Sequence, residues 1–434
     1  MDLQYRKILL LIGDVILLFA SLFLTVRFRL FDHWDPELFW THARAFVFLY
    51  PFWLIVLYTF DQYDVVSARV TRNRKMFIVA LGVSFLIGLA YFYVLPQPAI
   101  TPKTNLFIHV ILFGLFAFFW RILYKRFSVS GSSVPIGLFK DDTQTSVLVD
   151  LLTSHAHLGY VPVLLDAQKS LEPQITAHRL MFLIVPSALY YSVDTIKRMY
   201  DCIGLGVTFL EPVQMYEFLE RKIPLSVVDQ SWFVKNLQER ESDWYRVAKR
   251  VVDLFAASLV LIFSFPLWII ISIAIKLEDH GPLFYHQVRV GKYGKPFAIW
   301  KFRSMKVNAE AQGMQWAEKQ DPRVTRVGKW LRYTHLDELP QALNIIHGDI
   351  SFVGPRPERP EFVLQLEKEL PHYRLRHVIQ PGFTGWAQVR FRYARSVADS
   401  REKFEYDLYY IKNRSLLFDG LILLKTARLL FRGE

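Results

Sequence analysis

Five long apolar stretches constrain this chain more than any other feature. Four fill its first third, at Ile8 to Val26, Ala45 to Phe60, Met76 to Leu95 and Leu106 to Tyr124. Each is near the ~20 residues that an α-helix needs to cross hydrocarbon. In lipid a backbone has to satisfy its own polar groups, so such stretches read as helices. Residues 1–127 are therefore predicted to be a bundle of four transmembrane helices. Composition agrees, with 52% hydrophobic and 16% aromatic residues and a positive mean hydropathy of +0.20. The apolar N-terminus leads into further apolar segments without a clear small-residue cleavage site, so it does not read as a cleavable signal peptide. Basic residues lie before the first stretch (Arg6, Lys7), between the second and third (Arg69, Arg72, Arg74, Lys75) and after the fourth (Arg121, Lys125, Arg126). The first loop instead carries Asp32, Asp35 and Glu37. The positive-inside rule then places both ends of the bundle in the cytoplasm. Asp14, inside the first stretch, reads as a polar contact between helices.

Lys and Arg number 52 against 40 Asp and Glu, a net charge of +12. Such an excess suits an anionic lipid surface or a phosphorylated ligand. There is no zinc-ligand spacing and no aromatic-basic RNA motif, so a nucleic-acid partner is not expected. Cys202 is the only cysteine, which rules out an intrachain disulfide.

From residue 133 to 235 the pattern changes. Short apolar runs (Val134 to Phe139, Val161 to Leu165, Leu180 to Val185, Val207 to Leu210) alternate with amphipathic stretches such as Thr143 to Leu152 and Ser192 to Cys202. That alternation predicts a small parallel-sheet domain. The first strand is followed by Lys140-Asp141-Asp142 rather than a glycine-rich turn, and Gly204-Leu-Gly206 lies at the wrong end of a helix. A structural or regulatory domain is expected rather than a working dinucleotide site.

The fifth apolar stretch, Val251 to Ile275, is interrupted by Pro266. Proline removes an amide donor and clashes with the carbonyl four residues earlier, here Ile262. Both flanks are basic: Arg246, Lys249 and Arg250 before, Lys276, Arg289, Lys292 and Lys295 after. A spanning helix would carry the C-terminal part of the chain to the far side, against that bias. A helix-break-helix over 251–275, entering the membrane and returning to the same face, is the expectation. Ser264 would bond a carbonyl freed at the break.

The chemistry-bearing residues lie beyond this stretch. Arg332 precedes Leu336-Asp337-Glu338-Leu-Pro340-Gln341, and Gly354-Pro355-Arg356-Pro357-Glu358 comes after. An acid pair flanked by arginines is what a site for Mg²⁺ and phosphates requires. The metal takes hard oxygens, and arginine offers a donor fork that matches phosphate. Basic and aromatic residues also gather in Gln287-Val-Arg289-Val-Gly291, Lys301-Phe-Arg303-Ser304-Met305 and Asp321-Pro-Arg323, and in Pro381-Gly382-Phe-Thr384-Gly385-Trp386-Ala-Gln388. The glycine turns would let backbone amides approach an anionic ligand.

In these motifs, with the Pro266 segment, Gly281-Pro282, Asn344 and Tyr406-Asp407-x-x-Tyr410, the chain resembles the bacterial sugar transferases, which are polyprenyl-phosphate phosphoglycosyl transferases of the monotopic superfamily. The likeness covers essentially all of the chain from Arg246 to the end, within a catalytic domain placed at 244–434, and the preceding spans and αβ domain look like the large subgroup of that family. One departure is Phe265, which stands where the family often has a serine before the proline. The resemblance implies a fold of membrane α plus α/β: four spans, a Rossmann-like domain, and a mostly helical catalytic domain with a re-entrant hairpin. It implies transfer of a sugar 1-phosphate from a nucleotide diphosphate sugar, a UDP-hexose, to undecaprenyl phosphate. UMP would be released, and an exopolysaccharide, capsule or O-antigen unit begun. By residue match Asp337 would be the nucleophile and Glu338 the Mg²⁺ ligand. Arg303, Arg332 and Arg356 would hold phosphate oxygens, with Lys301, Arg289 and Arg323 as further anion contacts and Trp386 and Gln388 on the base. The implied setting is the bacterial inner membrane, with the catalytic domain on its cytoplasmic face. The partners are the lipid bilayer and the two substrates, and a homodimer is an arrangement to test.

Two other readings compete. A membrane-anchored nucleotide-sugar dehydratase or epimerase needs a glycine-rich turn and a Tyr-x-x-x-Lys pair. The sequence offers only Tyr245/Lys249, at a membrane boundary. An inactive scaffold of a glycan assembly complex would not need the intact acid pair.

Overall fold

The computed structural model describes residues 3–29, 35–63, 70–95, 102–129, 133–140, 145–186, 189, 192–226, 228, 230–237, 243–307, 309, 321–391 and 396–430. Asp32, Arg69, Asp141, Asp142 and Thr143, used above, lie outside them. The chain divides into two compact units, Met1–Met215 and Tyr216–Glu434.

The first unit begins with helices α1 (Leu3–Arg29), α2 (Pro36–Val47), α3 (Tyr50–Thr59), α4 (Val70–Val94) and α5 (Pro102–Val129). Of these, α1, α4 and α5 are long and apolar enough to cross a membrane, and α2 and α3 together make a bent pair at 49°. The stretch read as one span from Ala45 is thus longer and broken. Pro51 explains the break: its missing donor and its ring both act on the carbonyl of Val47, where α2 ends. Asp35 caps α2 by accepting from the Glu37 amide at 3.0 Å, which is the ordinary N-cap role of aspartate. Between helices the bundle is polar as well as apolar. Asp14 is fully buried, accepts from Tyr63 Oη at 2.7 Å and forms an ion pair with Arg121 at 2.8 Å. The acid read as an interhelical contact is one, and its partner is an arginine that the sequence had suggested only as a flanking charge. His109 lies on the same interior, between Ser21 at 3.1 Å and Tyr50 at 3.3 Å.

The αβ segment contains β1 (Val134–Phe139), α6 (Thr145–Ser154), β2 (Tyr160–Leu165), α7 (Leu171–His178), β3 (Phe182–Ile184), α8 (Val193–Asp201) and β4 (Thr208–Leu210). The four strands are parallel, in the order β2-β1-β3-β4. Gly137 lies within β1, where an added Cβ would sit 2.8 Å from Leu183 and 2.9 Å from Leu180. This glycine serves sheet packing.

Short helices α9 (Pro212–Glu220) and α10 (Gln230–Asn236) come next. Then α11 runs unbroken from Asp243 to Glu278, 36 residues with Pro266 inside. The expected break over 251–275 is absent. Proline deletes one helical hydrogen bond, and packing on both sides of it keeps the helix intact. Ala257 joins Ala342, Ile345 and Ile350 in one apolar cluster, and Ile271 and Ile275 join Phe302 and Leu331 in another. Ser264 does not bond a freed carbonyl with its hydroxyl hydrogen in this arrangement; its Oγ accepts from Trp268 Nε1 at 3.0 Å. The opposite face of α11 is bare and apolar, with Phe255, Ile262, Phe263, Phe265 and Ile270 all exposed.

The rest of the unit is mostly helical. Strands β5 (Phe284–Val290) and β6 (Pro296–Phe302) form an antiparallel hairpin. Helices α12 (Arg326–Thr334) and α13 (Gln341–His347) flank a 3₁₀ turn at Leu336–Glu338. Strand β7 (Ser351–Val353) pairs in parallel with β8 (Gly382–Thr384). Between them lie α14 (Pro360–Glu369) and a 3₁₀ segment at Tyr373–Val378, and α15 (Trp386–Arg390), α16 (Val397–Asn413) and α17 (Leu416–Leu430) close the unit.

Candidate active site

The acid pair is delivered by the end of α12. Thr325 caps this helix at its start, accepting from the Gly328 amide at 2.9 Å. Glu278, the last residue of α11, accepts from the amides of Arg326 and Val327 at 2.6 and 3.0 Å. Gly328 packs against the backbone of the β6 exit, so that an added Cβ would lie 2.0 Å from the Ser304 carbonyl oxygen. The helix ends at His335, which is left-handed with φ 57°. That reversal turns Leu336–Glu338 inward, at a cost of about 1–2 kcal/mol for a non-glycine residue.

A cavity of about 570 Å³ opens there, lined by Asp337, Lys301, Arg303, Arg332, Arg356, Arg289 and Arg323 among others. Asp337 is 7% exposed, and among the described residues its carboxylate has neither a hydrogen bond nor an ion pair. Glu338 takes the nearby cations instead: its Oε1 accepts from Lys301 Nζ at 2.6 Å and from Arg356 Nη2 at 3.0 Å. The two carboxyls therefore separate electrostatically. Burial raises the Asp337 pKa against the pull of Lys301. For Glu338 burial also acts upward, but Lys301 and Arg356 outweigh it and hold the group well below the usual carboxylate range. Neighbouring acids whose environments push them apart are suited to different roles.

The expected phosphate-binding residues are not equivalent. Arg332 donates from Nε to Ser304 Oγ at 3.0 Å and has no carboxylate partner among the described residues. Arg303 is committed to Asp279, which it grips through carboxylate and carbonyl. It fixes the turn after α11, and its Nη1 is buried without a hydrogen bond. Arg323 is likewise held by both oxygens of Asp321, at 2.8 and 2.6 Å. Arg289 donates to the Pro357 carbonyl at 3.1 Å and lies 3.7 Å from Glu358. It braces the loop that carries Arg356. Arg376, absent from the sequence expectations, braces the same loop. It donates to the Arg356 carbonyl at 3.0 Å and to Asp407 at 2.9 Å. Burial pushes Asp407 up to about 6 even against that arginine.

Trp386 and Gln388 require correction. Trp386 is 1% exposed, packs on Phe418 and Tyr409, and donates to the Arg221 carbonyl at 2.9 Å. Gln388 donates to the Phe383 carbonyl at 3.0 Å. Neither lines the cavity, so neither is placed to meet a base. The glycine turns around them are also not open to a ligand. Gly354 N–H donates to Thr384 O and Gly382 N–H to Pro355 O, both at 2.9 Å. An added Cβ on Gly382 would lie 2.0 Å from the Gly354 nitrogen. These glycines let two backbones interlock beneath Arg356. Tyr245 and Lys249, the pair considered for a dehydratase, both donate to Asp419, at 3.1 and 2.7 Å, and stand outside the cavity. The wall that sequence reasoning missed comes from α14 and α16, through Phe362, Leu366, Ser400 and Lys403. Among the described residues no three His, Cys, Asp or Glu side chains group to hold a metal.

The family described as bacterial sugar transferase matches residues 244–433. The exopolysaccharide production protein PSS of Rhizobium leguminosarum bv. phaseoli is 38% identical over 188 residues, 42% of this chain and 94% of that protein. The chain belongs to the bacterial sugar transferase family. Two longer members match over the same region. The UDP-N-acetylgalactosamine-undecaprenyl-phosphate N-acetylgalactosaminephosphotransferase of Aeromonas hydrophila is 48% identical over 189 residues, 44% of this chain and 45% of that protein. The UDP-glucose:undecaprenyl-phosphate glucose-1-phosphate transferase of Escherichia coli is 42% identical over 190 residues, 43% of this chain and 40% of that protein. The chain thus spans less than half the length of these two curated relatives. The family's region coincides with α11 and everything after it, the part of the chain that holds the cavity.

Proposed function

We propose that this sugar transferase moves a sugar 1-phosphate from a nucleotide diphosphate sugar, a UDP-hexose, to undecaprenyl phosphate through an aspartyl intermediate. The observation that carries the reading is Asp337: an unpaired carboxylate on the cavity wall, next to a glutamate that absorbs the adjacent cations. Asp337 attacks the phosphorus that bears the sugar. The bond from that phosphorus to the bridging oxygen breaks, and the nucleoside monophosphate leaves with its oxygen. A phosphate oxygen of the polyprenyl acceptor then attacks the aspartyl phosphosugar, and the carboxylate is returned. One pyrophosphate bond is exchanged for another, so positioning and charge neutralisation are the main demands. Arg332 has no carboxylate to leave and is suited to a phosphate oxygen. Glu338 stands off the cavity lining, but its Oε2 has no hydrogen bond among the described residues and would be the oxygen to hold magnesium, a metal commonly held by one or two carboxylates with substrate phosphates. Bound there, it would neutralise diphosphate charge. The enzyme would sit in the bacterial inner membrane with the cavity on the cytoplasmic side.

Wild-type protein incubated with sugar-labelled donor and no acceptor should retain covalent label, and Asp337→Asn should not. Full turnover by Asp337→Asn would sink the mechanism. The named relatives divide between glucose and N-acetylgalactosamine, and the same assay across UDP-glucose, UDP-galactose and their acetamido analogues identifies the sugar. We place the plain hexoses first.

A further inference from the structure

Lys403 is a cation of this cavity that the mechanism above does not use. It sits on α16, whose start is fixed by a capping box between Ser396 and Asp399. It contributes to the cavity wall beside Phe362 and Leu366. Among the described residues Lys403 makes no hydrogen bond and no ion pair. The carboxylates near it are already engaged: Glu358 lies 3.7 Å from Arg289 and 3.9 Å from Arg376, and Asp407 is 2.9 Å from Arg376. The strongest charges acting on Lys403 are Glu358, Arg356, Arg376 and Asp407. Among the described residues Arg289, Arg376 and Lys403 share Glu358 and Asp407, and Arg356 is drawn to Glu338, Glu358 and Asp337. A partly buried ammonium with no counter-ion is costly unless an anion arrives. Burial accordingly lowers the Lys403 pKa, against the pull of Glu358.

We propose that Lys403 binds a substrate phosphate other than the one Asp337 attacks. Asp337 enters the cavity from the turn after α12 and Lys403 from α16, on the side formed with Phe362 and Leu366 of α14, so the two residues come from different walls. Resting on the transfer reaction above, the ligand is a phosphate monoester. It is either that of the departing nucleoside monophosphate or that of the polyprenyl acceptor.

The test uses the full-length protein, with Lys403→Gln and Lys403→Arg compared with wild type. UMP is titrated directly by calorimetry, and KM for undecaprenyl phosphate is measured separately. Losing a hydrogen bond to a charged group costs roughly tenfold to a hundredfold in affinity. A weakening of that size in UMP binding by Lys403→Gln, restored by Lys403→Arg, supports the proposal and assigns the nucleotide phosphate. The same loss in KM for the lipid, with UMP unaffected, supports it and assigns the acceptor. If neither quantity moves in a Lys403→Gln protein of unchanged melting temperature, the proposal is overturned. If Lys403→Gln does not fold, Lys403→Met, which keeps the apolar stem, is read by the same criteria. Should wild type release no nucleotide from any donor, the transfer reading fails, and the UMP titration still decides whether Lys403 binds phosphate.

Discussion

Asp337 and Glu338 are adjacent in sequence and opposite in electrostatic setting, and that contrast yields a pH prediction. In the proposed reaction the attacking group has to be a carboxylate, so the rate should rise with pH through the Asp337 pKa. Burial has raised that pKa, and Lys301 is the strongest influence in the other direction. Replacing Lys301 by Gln removes the opposing cation, so the acid limb of kcat/KM should move to higher pH. The maximum rate should also fall, by about 10²-fold if Lys301 helps hold developing charge. The measurement is a kcat/KM profile for both proteins. A limb that stays in place or moves to lower pH in Lys301→Gln refutes the assignment. At this scale the sequence was a good guide to residue types and a poor guide to their obligations. The acid pair could be read because its members are consecutive. The pairings of Arg303 with Asp279 and of Arg376 with Asp407 join residues far apart in sequence, and no local pattern separates a committed arginine from a free one. Lys403 was invisible for a related reason, since one lysine on an amphipathic helix looks like solvated surface.

At the scale of elements, glycine carries more of the site than its lack of a side chain suggests. Gly328 allows α12 to rest on the backbone at Ser304, and one turn later Arg332 bonds the Ser304 side chain. An alanine there would place a methyl group 2.0 Å from a carbonyl oxygen. Helix and strand would have to separate, at about 1–3 kcal/mol for overpacking. We expect Gly328→Ala to lower the melting temperature and reduce kcat, because Arg332 and the turn bearing Asp337 move with α12. Gly420→Ala is the control: it lies in α17 with nothing within 4 Å of the added atom, and it should gain up to about 1 kcal/mol of helix propensity. Thermal melts and initial rates on both variants decide this, and an unperturbed Gly328→Ala would refute the close approach as a constraint. The elements themselves were legible where a pattern ran through consecutive residues. The parallel strands fall within a residue or two of the apolar runs that announced them. The two prolines were harder to tell apart. Pro51 breaks its helix, whereas Pro266 is carried inside one. The difference lies in tertiary packing on either side of Pro266, which local sequence does not display.

The whole-molecule question is which side of the membrane the cavity occupies relative to the start of α11. Helix α11 has 36 residues, about 54 Å at 1.5 Å per residue, against a hydrocarbon core of about 30 Å. A helix spanning that core would leave the folded unit attached at one end only. Here the unit holds both ends. Near the start, Arg250 donates to the carbonyls of Ile345 and Ile346, both at 2.6 Å, and Asp253 accepts from the Phe352 amide at 3.1 Å. At the far end Glu278 caps α12. One face is covered along the helix and the other is bare and apolar. An arrangement of this kind favours a helix that enters the bilayer with its apolar face and keeps both ends on one side, as the basic flanks also favour. Pulling such a helix straight across would expose Arg250, Asp253 and their partners to lipid, each at several kcal/mol. We therefore expect cysteines at Trp244 and Tyr293, both exposed, to behave alike in a Cys202→Ser background. In intact cells neither should react with an impermeant thiol reagent, and both should react once the membrane is opened. Labelling of the Tyr293 position alone from outside would show a spanning helix and would move the cavity to the opposite face from the start of α11.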